Sequence, residues 1–376
     1  MIPRSIAPQI IHDLTTSNKI VILYGPRQVG KTTLARQVLA QLPFRYIEVN
    51  ADNMQYNEVF SARDLRKMQS VVGTHELLFI DEAQNIPDIG INLKILHDSL
   101  PDLRIIATGS SSFELANRMR EPLTGRAWTY TLYPVAVQEL AGSQTPFQLT
   151  QNLEQFLRFG MYPDVLQAPD EAAKVRRLRE LAGSYLYKDV LQLSNIRHSD
   201  KLIRLLKLLA FQVGSPVSLH EIGQSLEMSH ETVSQYIDLL EKGFILFRLS
   251  GFSRNLRKEV SKMNKVYFCD LGIRNCLIEN FNPLDLRTDI GPLWENFLVV
   301  ERRKKVAYQR LYGNAYYWRT YSGAELDYVE ERDGRLSGFE FKWKNNKTRP
   351  PATWLDTYPE SSFEVVDRDN FLDFVV

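Results

Sequence analysis

A chain of 376 residues exceeds what one core of about 100–200 residues requires, so two or three domains are expected. Its 46 Lys and Arg offset 45 Asp and Glu, which excludes a global electrostatic case for nucleic acid or a membrane surface and leaves only local basic runs, Lys174 to Arg179 and Arg302 to Lys305, as contact patches or solvated helix faces. Cys269 and Cys276 are too few for a disulfide framework, the first ten residues carry no signal-peptide pattern and no run of about 18 apolar residues occurs, so a transporter is excluded, no membrane partner is expected, and the expected location is cytoplasmic.

Residues 1–140 read as a nucleotide-binding domain. In "KIVILYGPRQVGKTTLARQVLAQL" an apolar run precedes Gly25, four residues separate it from Gly30-Lys31-Thr32, and Leu34, Val38 and Leu39 mark a helix. That is strand, loop and helix. The loop residues Gly25, Pro26, Arg27, Gln28, Val29 and Gly30 can curl backbone N–H groups around a phosphate, and the helix start at Lys31, Thr32 and Thr33 adds its positive dipole end. Lys31 is expected at the β- and γ-phosphates and Thr32 on Mg²⁺, which makes ATP with Mg²⁺ the expected ligand. "ELLFIDEAQ" supplies a second buried strand, Leu77 to Ile80, ending in Asp81 and Glu82. Asp81 is expected to hold Mg²⁺ through its waters, and Glu82 to orient or deprotonate the attacking water.

A third strand, Arg104 to Ser112, ends in hydroxyls. Thr108 and Ser110 either sense the γ-phosphate or cap the strand end. Arg126, in "EPLTGRAW", is a candidate to neutralise charge on the γ-phosphate, in cis or from a neighbouring subunit of a homo-oligomer, with a plain surface arginine as the equal alternative. Arg27 is a further candidate. With no acceptor-binding segment nearby, hydrolysis is expected in preference to nucleotide-kinase chemistry.

Residues 141–200 read as a helical subdomain, and 201–255 as a winged helix-turn-helix. Ser218 with Glu221 begins one helix carrying Ile222 and Leu226; Ser229 begins another carrying Val233, Tyr236, Ile237 and Leu240; Gly243 ends it, and "FILFRL" starts the wing. The exposed positions of the second helix include His230, Glu231, Gln235, Asp238 and Glu241, an acidic set for a groove reader, whereas "SRNLRKEVSKMNK" after it is basic. Two expectations stand for this module: contact with DNA, or a protein-docking or purely structural role.

Residues 256–376 form the last expected domain. Its "GAELDYVEERDGRLSGFEFKWK" reads as a hairpin turning at Asp333-Gly334, with Arg332 opposite Arg335. In that register Asp327 faces Glu340 and Glu325 faces Lys342 on one side, with Leu326, Tyr328, Phe339, Phe341 and Trp343 on the other. A cross-strand salt bridge accounts for Glu325 and Lys342, but two opposed carboxylates call for something positive between them. Mg²⁺ or Mn²⁺ on Asp327 and Glu340 is the expectation, with Lys342 tuning the attacking water. One acid followed by acid-X-lysine on the next strand is the arrangement of PD-(D/E)XK nucleases.

Taken together, "LYGPRQVGKTTLARQ", "LLFIDEAQ", "ATGSSSFEL", "LTGRAW", "YLYKDVL", "SRNLRKEVSKMNKVYFCDLGIRN", "WENFLVVE" and the hairpin resemble a bacterial and archaeal family joining an AAA-type P-loop ATPase domain to a C-terminal uncharacterised domain of restriction-endonuclease-like type. The resemblance implies an α/β fold and a nuclease-like site of Glu295, Asp327, Glu340 and Lys342, although Leu326 stands where the motif's leading proline would be. Two functions follow as expectations. In one, the ATPase cycle drives a nuclease-like domain on nucleic acid, DNA foremost. In the other, the chain is an ATP-dependent switch or scaffold that docks a protein and cuts nothing.

Overall fold

The computed structural model describes residues 2–110, 122–184, 199–254, 263–344 and 348–376. Its contacts separate two compact units, Met1–Pro134 with Lys242–Phe244, and Val135–Glu241 with Ile245–Val376. The first division falls between Pro134 and Val135, where residue 140 was expected. The expected divisions at 200 and 255 do not separate compact units.

The first unit is an α/β domain built on five parallel strands: β1 (Ile20–Tyr24), β2 (Tyr46–Asn50), β3 (Leu77–Asp81), β4 (Arg104–Gly109) and β5 (Ala127–Thr131), in the order β2-β3-β4-β1-β5. Every residue of β1 and β3 is buried, which is why both read as unbroken apolar runs with no alternation. Helices α1 (Ala7–Thr16), α2 (Lys31–Leu39), α3 (Met54–Ser61), α4 (Leu65–Val72) and α5 (Ile89–Ser99) accompany the sheet. Ile20, Ile22, Leu78, Ile80, Ile105 and Ala107 from the strands pack with Phe60, Met68, Leu93 and Leu96 from the helices. Because all five strands run the same way, Tyr24, Asp81 and Gly109 end at one edge, where α/β sheets place their ligands. β4 stops at Gly109, short of the expected Ser112, and Ser111 and Ser112 lie outside the described residues.

The second unit begins with helices, among them α6 (Leu153–Phe159), α7 (Glu171–Ser184) and α8 (Ser199–Phe211). Next come α9 (Leu219–Leu226) and α10 (His230–Lys242), with Ser218 Oγ accepting from Glu221 N at 3.3 Å and Ser229 Oγ from Thr232 N at 3.2 Å. Ile222, Leu226, Val233, Tyr236, Ile237 and Leu240 are buried, as their spacing predicts. Three short strands, β6 (Pro216–Val217), β7 (Leu246–Ser250) and β8 (Asn264–Phe268), form an antiparallel sheet in the order β6-β8-β7. The boundary expected at residue 255 therefore cuts this sheet, because β7 and β8 pair across it. Most of the basic segment from Ser253 to Lys265 lies outside the described residues.

The remainder runs α11 (Leu271–Leu277), α12 (Ile290–Tyr308), β9 (Asn314–Arg319), β10 (Glu325–Arg332), β11 (Arg335–Phe341), α13 (Ala352–Thr357), β12 (Ser362–Val366) and α14 (Phe371–Val375). The sheet order is β12-β11-β10-β9, antiparallel from β9 to β11, with β12 parallel to β11 after a crossover through α13. Helix α12 is buried along much of its circumference, through Trp294, Phe297, Leu298 and Val299 among others. Its Glu301 and Lys304 form a buried pair at 2.6 Å; Glu301 also accepts from Val137 N at 2.7 Å, and Lys304 donates to Val135 O at 2.9 Å. Asn296, on the same helix, accepts from Phe268 N and donates to Phe268 O, fixing the end of β8.

The β10–β11 hairpin turns at Asp333 and Gly334, both with positive φ, and Arg332 pairs with Arg335 as expected. One part of the expected pattern changes. A bulge between Leu326 and Val329 against β9 breaks the two-residue alternation. Leu326 consequently clusters with Val329, Leu336, Trp318 and Trp354, while Tyr328 packs on Phe339, Phe341 and Phe374. Among the described residues, no helix is long and apolar enough to cross a membrane.

Candidate functional site

The loop between β1 and α2 passes so close to the end of β5 that a Cβ at Gly25 would lie 2.1 Å from Leu132 O, in a backbone conformation of φ +153°. Only glycine is accommodated there. Arg4, buried ahead of α1, donates to Val29 O at 2.7 Å and to Tyr133 O at 2.6 Å, bracing the loop against the segment after β5. Lys31 is buried and donates to Gly25 O at 3.0 Å and Pro26 O at 2.8 Å. At the neighbouring strand end, Thr32 Oγ1 donates to Asp81 Oδ1 and Oδ2 at 3.0 and 2.9 Å, and Thr108 Oγ1 also donates to Asp81 Oδ1.

These hydroxyl and carboxylate oxygens are the hard donors that suit Mg²⁺, so Thr32 and Asp81 fit the roles expected of them. Mg²⁺ held there by Thr32 and Asp81 would offset negative charge on a bound phosphate. Glu82 sits in a left-handed conformation at φ +53°, its N–H donating to Thr108 Oγ1 at 3.3 Å. Its carboxylate is held by Gln84 Nε2, which also reaches Ser110 Oγ at 3.1 Å. Thr108 and Ser110 thus both join the acidic pair: Thr108 through Asp81 and the Glu82 N–H, Ser110 through Gln84. Gln84 escaped the sequence reading although it stands two residues after Glu82 in the same motif. Arg4 had no local signal at all.

Arg126 lies elsewhere. It precedes β5, and its carbonyl accepts from Ile20 N at the start of β1, the sheet edge opposite the phosphate loop. Its guanidinium grips Asp98 with two bonds of 2.7 and 3.0 Å, and this partner, together with His97, pulls the Asp98 carboxyl down to about 2. The position corrects the expectation of a finger acting in cis. Arg126→Ala is expected to leave the ATP turnover of the isolated chain unchanged; a marked fall with an unaltered melting temperature would restore the finger.

In the second unit, Glu295 on α12, Asp327 on β10 and Glu340 with Lys342 at the end of β11 lie near one another. Asp327 Oδ2 accepts from Phe341 N at 2.8 Å, and Lys342 Nζ donates to Glu340 Oε1 at 2.7 Å. The expected divalent ion does not fit. Among Glu295, Glu325 and Asp327 lies Lys265 of β8, its side chain 1% exposed, with Nζ 2.9 Å from Glu295 Oε1, 2.7 Å from Glu325 Oε1 and 3.9 Å from Asp327 Oδ1. Tyr267, two residues along the same strand, donates to Glu295 Oε1 at 2.6 Å.

Burial works against the Lys265 ammonium, but Glu295, Asp327 and Glu325 outweigh it and raise its pKa. Burial, with Glu295 nearby, pushes the Asp327 carboxyl well above its usual range. Among the described residues, no group of three or more His, Cys, Asp or Glu side chains is arranged to hold a metal ion. The sequence reading had Lys265 only as the last residue of the basic segment "SRNLRKEVSKMNK"; far from the hairpin in sequence, it carried no sign of the acids it meets.

Residues 17–141 match a family described as an AAA domain, while 150–284 and 290–363 match two domains of unknown function, DUF8612 and DUF4143. The uncharacterized protein Rv2008c of Mycobacterium tuberculosis is 30% identical over 86% of this chain and 70% of its own length. The uncharacterized protein MJ1544 of Methanocaldococcus jannaschii is 24% identical over 77% of this chain and 67% of its own. Among solved structures, the Walker-type ATPase paby2304 of Pyrococcus abyssi superposes with a TM-score of 0.51 at 18% identity, covering 74% of this chain and 96% of that one, a likeness of fold. With a P-loop that orders Lys31, Thr32, Asp81 and Glu82 around one strand edge, the chain belongs to the family of the mycobacterial protein Rv2008c, and its first unit is an AAA-type P-loop ATPase domain.

Proposed function

We propose that this AAA-type ATPase couples its nucleotide cycle to a C-terminal domain of restriction-endonuclease-like architecture that binds nucleic acid. The observation that carries the ATPase half is the Thr32–Asp81 contact beside Glu82: a metal-holding pair and a water-orienting carboxylate at the mouth of one phosphate loop. Lys31 would hold the β- and γ-phosphates, Glu82 the attacking water, and Ser110, through Gln84, would register the γ-phosphate.

Support for the C-terminal half is topological. The succession α12-β9-β10-β11-α13-β12, with one helix before three antiparallel strands and a helical crossover to a parallel fourth, suits a nuclease-like core, and it brings Glu295, Asp327, Glu340 and Lys342 together. Helices α8, α9 and α10 with the β6-β8-β7 sheet suit a winged helix-turn-helix.

A protein-docking reading draws on a specific observation. Asp238 and Glu241 of α10 are engaged by Arg248 of β7 at 2.6 Å and closer, and the exposed His230, Glu231 and Gln235 offer no arginine or lysine to a phosphate backbone.

Fluorescence anisotropy with labelled duplex DNA, single-stranded DNA and RNA, at stated salt and with or without Mg-ATP, separates the two. Saturable binding that weakens as salt rises supports the nucleic-acid reading. No binding to any of the three, by a chain that hydrolyses ATP, moves the function to docking a protein.

A further inference from the structure

We infer that the Lys265 ammonium takes the place of a divalent cation in the C-terminal acidic cluster, making this a lysine-filled, metal-free version of a nuclease-like site. Four carboxylates converge from two elements of the domain and from the end of a third: Glu295 from α12, Glu325 and Asp327 from β10, and Glu340 from β11. Unscreened, they would repel one another and draw in a cation. The cation is already built into the chain. Lys265 enters from β8 and makes its closest contacts with Glu295 and Glu325, the acids whose helix and strand flank it.

One oxygen of each of three carboxylates is also engaged. Glu295 Oε1 receives both Lys265 Nζ and Tyr267 Oη, Asp327 Oδ2 receives the Phe341 N–H, and Glu340 Oε1 receives Lys342. Arg319 of β9 stands 3.7 Å from the other oxygen of Glu325. Three cations thus face four carboxylates, and a protonated amine has no lone pair to offer an incoming ion. A divalent ion would meet repulsion from a buried ammonium where it should meet ligands.

The lysine is also held in place. Two residues beyond it Tyr267 is hydrogen-bonded to Glu295, and at the next residue both backbone groups of Phe268 are bound by Asn296, so β8 is pinned to α12 along the length that carries Lys265. A nuclease-like domain filled in this way engages a ligand through its surface and lacks the metal that phosphodiester hydrolysis in such a cluster would use.

The inference concerns the same domain as the nucleic-acid reading and rests on it only for the architecture of the site. Its test needs no nucleic acid: Mn²⁺ binding to the full chain, without nucleotide, followed by the electron paramagnetic resonance signal of free Mn²⁺. Wild type and Asp327→Asn should take up equal Mn²⁺. Lys265→Met should take up about one ion more per chain, and Lys265→Met with Asp327→Asn should lose it. A wild-type Mn²⁺ site abolished by Asp327→Asn overturns the inference, as does a folded Lys265→Met chain that gains none. Should Lys265→Met not fold, Lys265→Gln serves in its place, and the wild-type comparison with Asp327→Asn stands on its own. Loss of nucleic-acid binding in the anisotropy experiment would leave these outcomes untouched.

Discussion

Glu82→Gln is expected to lower ATP turnover by about 10²–10⁴-fold, the usual contribution of a positioned general base, while ATP still binds. The amide keeps the shape of the side chain and its capacity to bond Gln84, but it cannot accept a proton from water. Lys31→Ala should behave differently. It removes the ammonium that donates to Gly25 O and Pro26 O and is placed to pass to the phosphates, so affinity and turnover fall together. Steady-state turnover alongside equilibrium binding of a fluorescent ATP analogue distinguishes the two variants. Normal turnover in Glu82→Gln would reassign the water-orienting role, and unchanged turnover in Lys31→Ala would remove the phosphate loop from the chemistry.

Glu301→Ala is expected to destabilise the second unit by about 3–5 kcal/mol, because it leaves the Lys304 ammonium buried without its countercharge. Both side chains are 1% exposed, so water cannot compensate, and Val137 N also loses its acceptor. Replacing both members, Glu301→Leu with Lys304→Met, should cost much less, since the charge and its partner leave together. Urea unfolding followed by a probe in the second unit measures both, with separate transitions for the two units allowed for. A single variant within about 1 kcal/mol of wild type would show that the pair is solvated in solution.

The sequence made the first unit legible because its signals are local. Gly25 to Thr32 lie on one loop, Asp81 and Glu82 end one apolar run, and the parallel sheet that joins them follows from strands buried on both faces. The hairpin was legible for the same reason: Asp333-Gly334 sets its turn, and the turn sets the register. What escaped was long-range or irregular. The bulge at Leu326 to Val329 reassigned Leu326 because a single extra residue on one strand reverses facing, and no residue type announces it. Arg126 looked like a finger because a guanidinium in a glycine loop is ambiguous until the strand direction is known; the parallel pairing of Ile20 with Ala127 puts it at the far edge. Lys265 reaches Glu295, Glu325 and Asp327 only through the fold.

Strand β8 has one further implication. It pairs with β6 and β7 in the small sheet, yet its Lys265 and Tyr267 complete the charge balance of Glu295 on α12. A recombination event or a designed chimera that exchanged the C-terminal domain at residue 255 would carry Lys265 along with its acids but part β8 from β6 and β7, leaving the strand that positions the lysine without its own sheet partners. The smallest heritable module at this end of the chain therefore includes the strand pair, and homologous swaps are expected to succeed only when the crossover lies before β6.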